Sequence, residues 1–225
     1  MFLQAAATTT PQTQEKVFSF WEIMFHGNLF ANIVMIAVLL LGVFSLYIFL
    51  ERLFYINRML KTSDRNLLNN VEDQLRQGRV QAAAEYCERQ DTPEGRIVAK
   101  GVTRVGRPVS DIVSAMENQS QIEVAKLERN LNLLAAVPSL APMLGLLGTV
   151  IGIIMAFFNM ANTEGSFSPS TLSEGIYTAL GQTATGLAVA IPANFFYNFL
   201  LTRIDTFVLK IQNLSAQFLD IINKP

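Results

Sequence analysis

The sequence predicts an all-α membrane protein with three transmembrane helices, the second and third of which extend into a cytoplasmic helical bundle. Of the 225 residues, 51% are hydrophobic and 16% are charged, and the mean hydropathy is +0.32. This composition is typical of a membrane protein. Three apolar runs, at 29–50, 134–160 and 175–201, are each long enough to cross about 30 Å of hydrocarbon at about 1.5 Å per residue.

The ends of these runs divide the chain into seven predicted segments. Residues 1–28 form an external N-terminal segment, in which Trp21 and Phe25 predict an interfacial helix. The remaining segments are transmembrane helix 1 at 29–51, a cytoplasmic helical domain at 52–133, transmembrane helix 2 at 134–161, an external loop at 162–173, transmembrane helix 3 at 174–202 and a cytoplasmic C-terminal helix at 203–225. The first residues lack a basic region followed by a long apolar core, so we expect no cleaved signal peptide.

The positions of the basic residues predict the orientation. Thirteen of the 17 Lys and Arg lie between Arg52 and Arg129, and none lies in 161–174. Basic residues accumulate on the cytoplasmic side of a membrane protein. The N-terminus is therefore expected in the periplasm, and the C-terminus in the cytoplasm of a bacterium, with the chain spanning the inner membrane.

Capping residues predict three short helices in the cytoplasmic domain. Ser63 or Asp64 can cap a helix that Gly78 ends, and a second helix occupies 80–89. Thr92 can cap the third helix, with Pro93 at its first position and Gly106 closing it.

No part of this domain carries the signature of an enzyme. It has no glycine-rich phosphate loop, no nucleophile elbow and no paired carboxylates. The single Cys87 and the single His26 exclude an intramolecular disulfide framework and a histidine-cluster metal site. We expect no catalytic residue, no metal, no cofactor and no nucleic-acid partner.

Helical periodicity predicts that one continuous helix runs from Ser110 into the second span. Apolar residues recur at intervals of three and four up to Leu134. Pro138 and Pro142 are expected to kink or loosen this helix without ending it. Thr171 and Glu174 fit a capping box that would start the third span.

The second span carries small residues where a lipid-facing helix would not need them. Gly145, Gly148 and Gly152, together with Thr149, fall along one helix face and allow another backbone to approach closely. The first span is almost uniformly aliphatic and is expected to be the peripheral helix. These features predict helix packing within a membrane assembly.

The third span carries a polar stripe. Thr178, Gln182 and Thr185 lie on one face, and Thr183 widens it. Gly181 and Gly186 are expected to allow close packing, and Pro192 to loosen the helix. Polar residues within hydrocarbon face a bundle interior or a wet path; hydrogen bonding between helices, with no role in transport, is the alternative.

None of the three spans has Asp, Glu, His, Lys or Arg in its interior. Threonine hydroxyls can donate and accept hydrogen bonds, but they cannot store a proton near neutral pH. If protons cross the membrane here, the titrating group must therefore come from another chain.

The sequences PMLGLLGTVIGIIMAF and ALGQTATGLAVAIPANFFYN resemble the paired signature of the ExbB/TolQ/MotA proton-channel family. Three spans with one large cytoplasmic loop resemble its ExbB/TolQ branch rather than the four-span flagellar stators. The resemblance implies a homopentamer around a pore that encloses two ExbD/TolR-type subunits. Each of these would contribute one transmembrane helix with a protonatable Asp.

The same resemblance implies that proton flow rotates the ring and delivers work to a TonB- or TolA-like protein. Thr149 and Thr183 match the pore-facing threonines of the family. Many members carry Glu five residues before the third-span threonine, where this chain has Thr178. This departure shifts the whole titration to the Asp of the partner.

The resulting hypothesis is a proton-channel stator subunit that energises TonB-dependent transport or Tol-type envelope processes. The alternative is a structural membrane scaffold whose helices pack through glycines without conducting ions. A secondary transporter is disfavoured because the chain has only three spans and no inverted repeat.

Overall fold

The computed structural model describes residues 29–61, 66–162 and 169–223. The predictions for residues 1–28, for the Ser63 or Asp64 cap and for loop residues 163–168 lie outside these residues. The described ranges contain helices and short connections but no strand, which confirms the all-α fold class. The helices are α1 Leu29–Lys61, α2 Leu67–Arg76, α3 Val80–Arg89, α4 Pro93–Val102, α5 Val109–Glu128, α6 Leu131–Asn162 and α7 Pro169–Asn223.

Three of the helices are long and apolar enough to cross a membrane. They cover Leu29–Leu60, Leu131–Asn162 and Leu172–Asn223, within α1, α6 and α7. Both α6 and α7 run through their internal prolines, Pro138 and Pro142 in α6 and Pro192 in α7, so none of the three ends its helix.

The three long helices form one bundle. Among the described helices, α6 and α7 have the most extensive contact, and α1 packs against both of them. Met35, Val38 and Ile48 of α1 are buried, whereas Leu40 and Tyr47 are exposed. The first span therefore presents one side to the bundle and the other to its surroundings.

The continuous helix predicted from Ser110 into the second span is wrong. The helix is broken at Arg129 and Asn130, where Arg129 is extended (φ −52°, ψ 133°) and Asn130 has a φ of 65°. Asparagine tolerates this left-handed conformation better than most residues. The Asn130 carbonyl accepts hydrogen bonds from the Leu133 and Leu134 amides at 3.2 and 3.3 Å, which starts α6 as a separate helix.

The start of α7 also differs from the sequence prediction. The helix begins at Pro169, so Thr171 lies inside its first turn and is not an N-cap. Proline is well suited to the first turn because its fixed φ matches a helix and its missing N–H would have no partner there.

Helices α2 to α5 form a compact domain at one end of the bundle. The bounds of α3 agree with the prediction of 80–89. The predicted Thr92 cap is also confirmed, since Thr92 Oγ1 accepts a hydrogen bond from the Gly95 amide at 3.1 Å, with Pro93 at the start of the helix.

The α2–α5 domain is attached to the C-terminal half of α7. Phe207 and Phe218 of α7 are almost completely buried in the same cluster as residues of α2, α3, α4 and α5. Lys210 Nζ lies 3.0 Å from Glu94 Oε1 of α4, and the Glu94 side chain is 2% exposed. This ion pair joins positions 116 residues apart in the chain.

An acidic residue of α5 is held by several donors. Arg96 of α4 donates to both oxygens of Glu123, at 3.0 and 2.8 Å, and Gln119 and Lys126 donate to Oε1 at 2.8 and 2.9 Å. Burial favours a higher pKa for Glu123, but the bonds from Arg96 and Lys126 outweigh it and lower the pKa. The charged carboxylate of Glu123 therefore stabilises the packing of α4 against α5.

The lone cysteine is a packing residue of α3. Cys87 is fully buried, and burial together with the charge of Glu88 raises the pKa of its thiol from 9.0 to about 12. A thiol reacts as the thiolate, so the folded domain keeps Cys87 unreactive.

We expect Cys87 to resist alkylation by a maleimide at pH 8 in the native protein and to react fully after denaturation. The raised pKa favours the folded state below pH 9, and this stabilisation is lost as the pH rises from 9 towards 12. Mass spectrometry of labelled samples measures the reaction. Rapid labelling of the native protein, with the domain still folded by circular dichroism, would contradict this burial.

Candidate functional site

Helices α6 and α7 meet along small residues. We call this contact the α6–α7 seam, defined by Ala141, Gly145, Gly148, Thr149 and Gly152 of α6 and by Ala179, Gln182, Thr183 and Gly186 of α7. A methyl group at Gly145 would lie 2.8 Å from the Gln182 carbonyl oxygen and 3.1 Å from Thr183 Cα. At Gly145 the backbones of α6 and α7 are therefore in direct contact, with no side chain between them.

The other predicted packing glycines lie in the same contact, with one exception. A methyl group at Gly186 would lie 2.6 Å from the Ala141 carbonyl oxygen, and one at Gly152 would lie 2.8 Å from Ala179 Cβ. Gly148 faces the Gln182 side chain. Gly181 is half-buried, and its carbonyl accepts a hydrogen bond from Thr185 in its own helix.

Two threonines bridge the seam. Thr149 Oγ1 lies within hydrogen-bonding distance of Thr183 Oγ1, 2.9 Å from the Ala179 carbonyl oxygen across the seam and 3.1 Å from the Gly145 carbonyl oxygen of its own helix. Thr149 is buried, whereas Thr183 is half-buried. The pair therefore joins the interior of the seam to the surface of the bundle.

The remaining predicted site residues lie on the buried side of α7. The exposed fractions are 8% for Thr178, 3% for Gln182 and 6% for Thr185. Thr185 Oγ1 donates to the Gly181 carbonyl oxygen at 2.9 Å. In a single chain these three side chains face other helices, and Thr183 is the member of the stripe that extends towards the surface.

A second polar row on α7 was absent from the sequence prediction. Asn194, Asn198 and Thr202 are exposed, and Asn198 Nδ2 donates to the carbonyl and side-chain oxygens of Asn194 at 2.8 and 3.0 Å. Asn194 lies about three turns from Thr183 on nearly the same face, given about 3.6 residues per turn. The spacing of four between these polar residues is the signal that could have identified them.

The chemistry available in these spans is limited to neutral groups. Residues 131–162 and 175–202 hold no Asp, Glu, His, Lys or Arg. In the described part of the chain, no group of three or more His, Cys, Asp and Glu is placed to hold a metal ion. Hydroxyl and amide groups can form chains of hydrogen bonds along the helices, but they cannot carry a net charge at neutral pH.

Helices α6 and α7 therefore combine a glycine-packed seam with two bridging threonines, and residues 131–162 and 175–202 hold no Asp, Glu, His, Lys or Arg. The model of the MotA/TolQ/ExbB proton channel family matches residues 89–213, more than half of the chain and the whole seam. The chain belongs to this family, in its ExbB-like branch, and is a multi-pass membrane protein.

Named relatives support this assignment. The chain is 36% identical over 107 residues to the biopolymer transport protein ExbB of Aquifex aeolicus, covering 48% of this chain and 71% of that protein. It is 46% identical over 79 residues to the biopolymer transport protein ExbB of Helicobacter pylori, covering 35% and 54%. An ExbB homolog of Methanothermobacter thermautotrophicus is 30% identical over 172 residues, covering 76% of this chain and 61% of that protein.

Proposed function

We propose that this chain is the proton-channel stator subunit of a bacterial inner-membrane motor. With an ExbD/TolR-type partner, it uses the proton gradient to energise TonB-dependent transport or Tol-type envelope processes. The observation that carries the proposal is the Thr149–Thr183 bridge within spans that hold no charge. The bridge gives a protonatable group from a second chain a neutral polar surface to move along.

The proposed assembly is a homopentamer whose ring encloses the transmembrane helices of two partner subunits. The exposed row of Asn194, Asn198 and Thr202 supports a wet surface that continues from Thr183 along α7, because exposed amides in a membrane-spanning helix need water or another polar surface. The distribution of Lys and Arg supports a periplasmic N-terminus and a cytoplasmic α2–α5 domain. Work passes through the partner to a TonB- or TolA-like protein.

The proton-motive force supplies enough energy to bias the steps of the proposed rotation. Each charge that crosses gains about 2.3 kcal/mol per 100 mV. This energy biases each step of a rotation between neighbouring subunits. The partner carboxyl is the carrier, and the threonines stabilise its passage without titrating.

We expect Thr183→Val and Thr149→Val each to abolish motor-dependent transport while the pentamer still assembles. Valine keeps the volume of the side chain but removes the hydroxyl from the polar surface. Transport is measured as partner-dependent uptake in cells that lack the native chain, and assembly by native mass spectrometry. Thr206→Val is the matched control, because the exposed Thr206 hydroxyl bonds only to the Thr202 carbonyl oxygen of its own helix at 2.8 Å. Wild-type transport in both seam variants would contradict the proton path.

The second candidate function is a structural scaffold that does not conduct ions. The burial of Thr149, Thr178, Gln182 and Thr185 within one chain favours it, since these groups also stabilise the packing of α6 on α7. Co-purification separates the two candidates. The channel requires a single-span partner with an intramembrane Asp, and a scaffold does not.

A further inference from the structure

A groove separates α5 from the C-terminal half of α7. We call it the α5–α7 groove; it has a volume of about 720 Å³ and runs along α5 from Val113 to Glu128 and along α7 from Val208 to Leu219. Its walls combine apolar residues with small ones, among them Val124, Ala125, Ser215 and Ala216. Such a groove can accept the side of another helix, because small residues let it approach and apolar residues are stabilised when they are covered.

The α5 wall of this groove is acidic. Glu117 and Glu128 line it, and both are exposed. Neither carboxylate makes an ion pair with another described residue. The residues that line the α7 wall are all uncharged. A complementary occupant therefore carries an apolar side chain for the groove and positive charge for its acidic edge.

A second surface of α5 has this chemistry. Ile122 is 51% exposed and lies about 200° around the helix from Val124, at about 3.6 residues per turn. Lys126 and Arg129, both exposed, lie about one and two turns further along. The Lys126 side chain is 48% exposed although its Nζ pairs with Glu123, and Arg129 makes no ion pair within the described ranges. We call Ile122, Lys126 and Arg129 the outer α5 face.

We propose that the outer α5 face of one copy of this chain binds in the α5–α7 groove of the next copy. The inference rests on the ring of identical subunits in the proposed function, and it assigns the contact between their cytoplasmic domains. Ile122 enters the groove, where its exposed apolar surface is covered. Lys126 and Arg129 lie beside Glu128 of the next copy and supply the positive charge.

The symmetry of a ring places these groups at matching heights. Rotation about the membrane normal keeps each residue level with the same residue of the next copy. Ile122 is then level with the middle of the α5 wall, which extends from Val113 to Glu128, and Arg129 is level with Glu128. Because the two surfaces differ, the contact is heterologous and repeats from copy to copy until the ring closes.

Cross-linking between copies tests this interface. The full chain with Ile122→Cys and Gln212→Cys is produced in cell membranes and treated with a short bis-maleimide, and the products are separated on a denaturing gel. Gln212 lines the α7 wall of the groove. We expect most of the chain to move into a ladder of linked copies, because each copy offers both surfaces. The native Cys87 is fully buried and adds no background.

The matched control combines Ile122→Cys with Gln217→Cys. Gln217 is an exposed glutamine of the same helix, but it lies about 140° around α7 from Gln212 and does not line the groove. We expect this variant to stay monomeric on the gel. The single variant Ile122→Cys should also stay monomeric, since the proposed contact does not bring two copies of Ile122 together.

Charge reversal tests the pairing at the membrane end of the groove. In the cross-linking variant, adding Glu128→Arg should lower the yield of the ladder, because it sets like charges against each other across the interface. Adding Arg129→Glu as well should restore the yield. An unchanged yield with Glu128→Arg, or no recovery in the double reversal, would overturn the pairing of Arg129 with Glu128.

The outcomes separate this interface from the proposed function. Monomers in the Ile122→Cys and Gln212→Cys variant, when native mass spectrometry shows that the wild type forms a ring, would overturn the interface alone. Linkage of the Gln212→Cys position to a different protein would assign the groove to that protein and would also overturn the interface. A wild-type chain that forms no ring would overturn the proposed assembly and this inference together. A full ladder from an assembly without proton flux would support the interface and contradict the channel.

Discussion

Replacement of Gly186 by alanine is expected to destabilise the folded bundle strongly and to reduce the yield of folded protein. The new methyl group would lie 2.6 Å from the Ala141 carbonyl oxygen and 3.3 Å from Gly145 Cα. These are backbone atoms of α6, so no side-chain rotation can relieve the overlap and the two helices must separate. Overpacking of this kind costs about 1–3 kcal/mol or more.

The control for this prediction is Gly148→Ala, at a neighbouring position of the same seam. Its methyl group would meet the amide end of Gln182, which is flexible and can move away. We therefore expect a smaller loss of thermal stability than for Gly186→Ala, measured as the fraction of protein that stays folded by circular dichroism on heating in detergent. Equal stability of the Gly186→Ala variant and the wild type would contradict the backbone contact between α6 and α7.

Replacement of Arg96 by methionine is expected to have the second large effect, in the α2–α5 domain. Glu123 would keep its charge in a site that is 2% exposed after losing two of its donors. Removing one partner of a buried ion pair costs about 3–5 kcal/mol of folding free energy. Because Glu123 keeps its bonds from Lys126 and Gln119, we expect a loss at the lower end of this range. Urea unfolding of the reconstituted protein, followed by Cys87 labelling, measures the loss.

The effect of Arg96→Met should depend on pH in a defined direction. The pKa of folded Glu123 lies below the ordinary value of 4.5. Its ion pairs therefore contribute fully to the free energy of unfolding above pH 4.5. This contribution is lost as the pH falls further through the lowered pKa. The difference between variant and wild type should shrink in acid. Arg76→Met is the control, because the Arg76 side chain is 69% exposed in its pair with Glu72 and the pair should contribute little to stability. An equal loss of stability in both variants would contradict the role of burial.

Local signals in the sequence were sufficient for much of the fold. The length and hydropathy of the three apolar runs predicted α1, α6 and α7, and the Thr92–Pro93 pair predicted the start of α4. These features act within a single helix turn or a single span. For the same reason Gly145, Gly148 and Gly186 could be assigned to helix packing from their spacing alone.

The errors have a different origin. The break at Asn130 depends on one residue in a left-handed conformation, which tertiary packing selects and hydrophobic periodicity does not reveal. The start of α7 was misplaced because the Thr171–Glu174 spacing fits a capping box as well as the interior of a first turn. The pairing of Thr149 with Thr183, by contrast, depends on how α6 and α7 are aligned with each other. The two residues are 34 positions apart in the chain, and neither helix alone encodes this alignment.

Proton flux in liposomes tests the central claim most directly, namely that the chain supplies a neutral path and a second chain supplies the titrating group. Three samples are compared under the same pH gradient: the chain alone, the chain with the proposed single-span partner, and the chain with that partner after its proposed intramembrane Asp is replaced by Asn. The account predicts flux only for the complex with the intact Asp. Equal flux through the chain alone, or through the complex with the Asn partner, would contradict it.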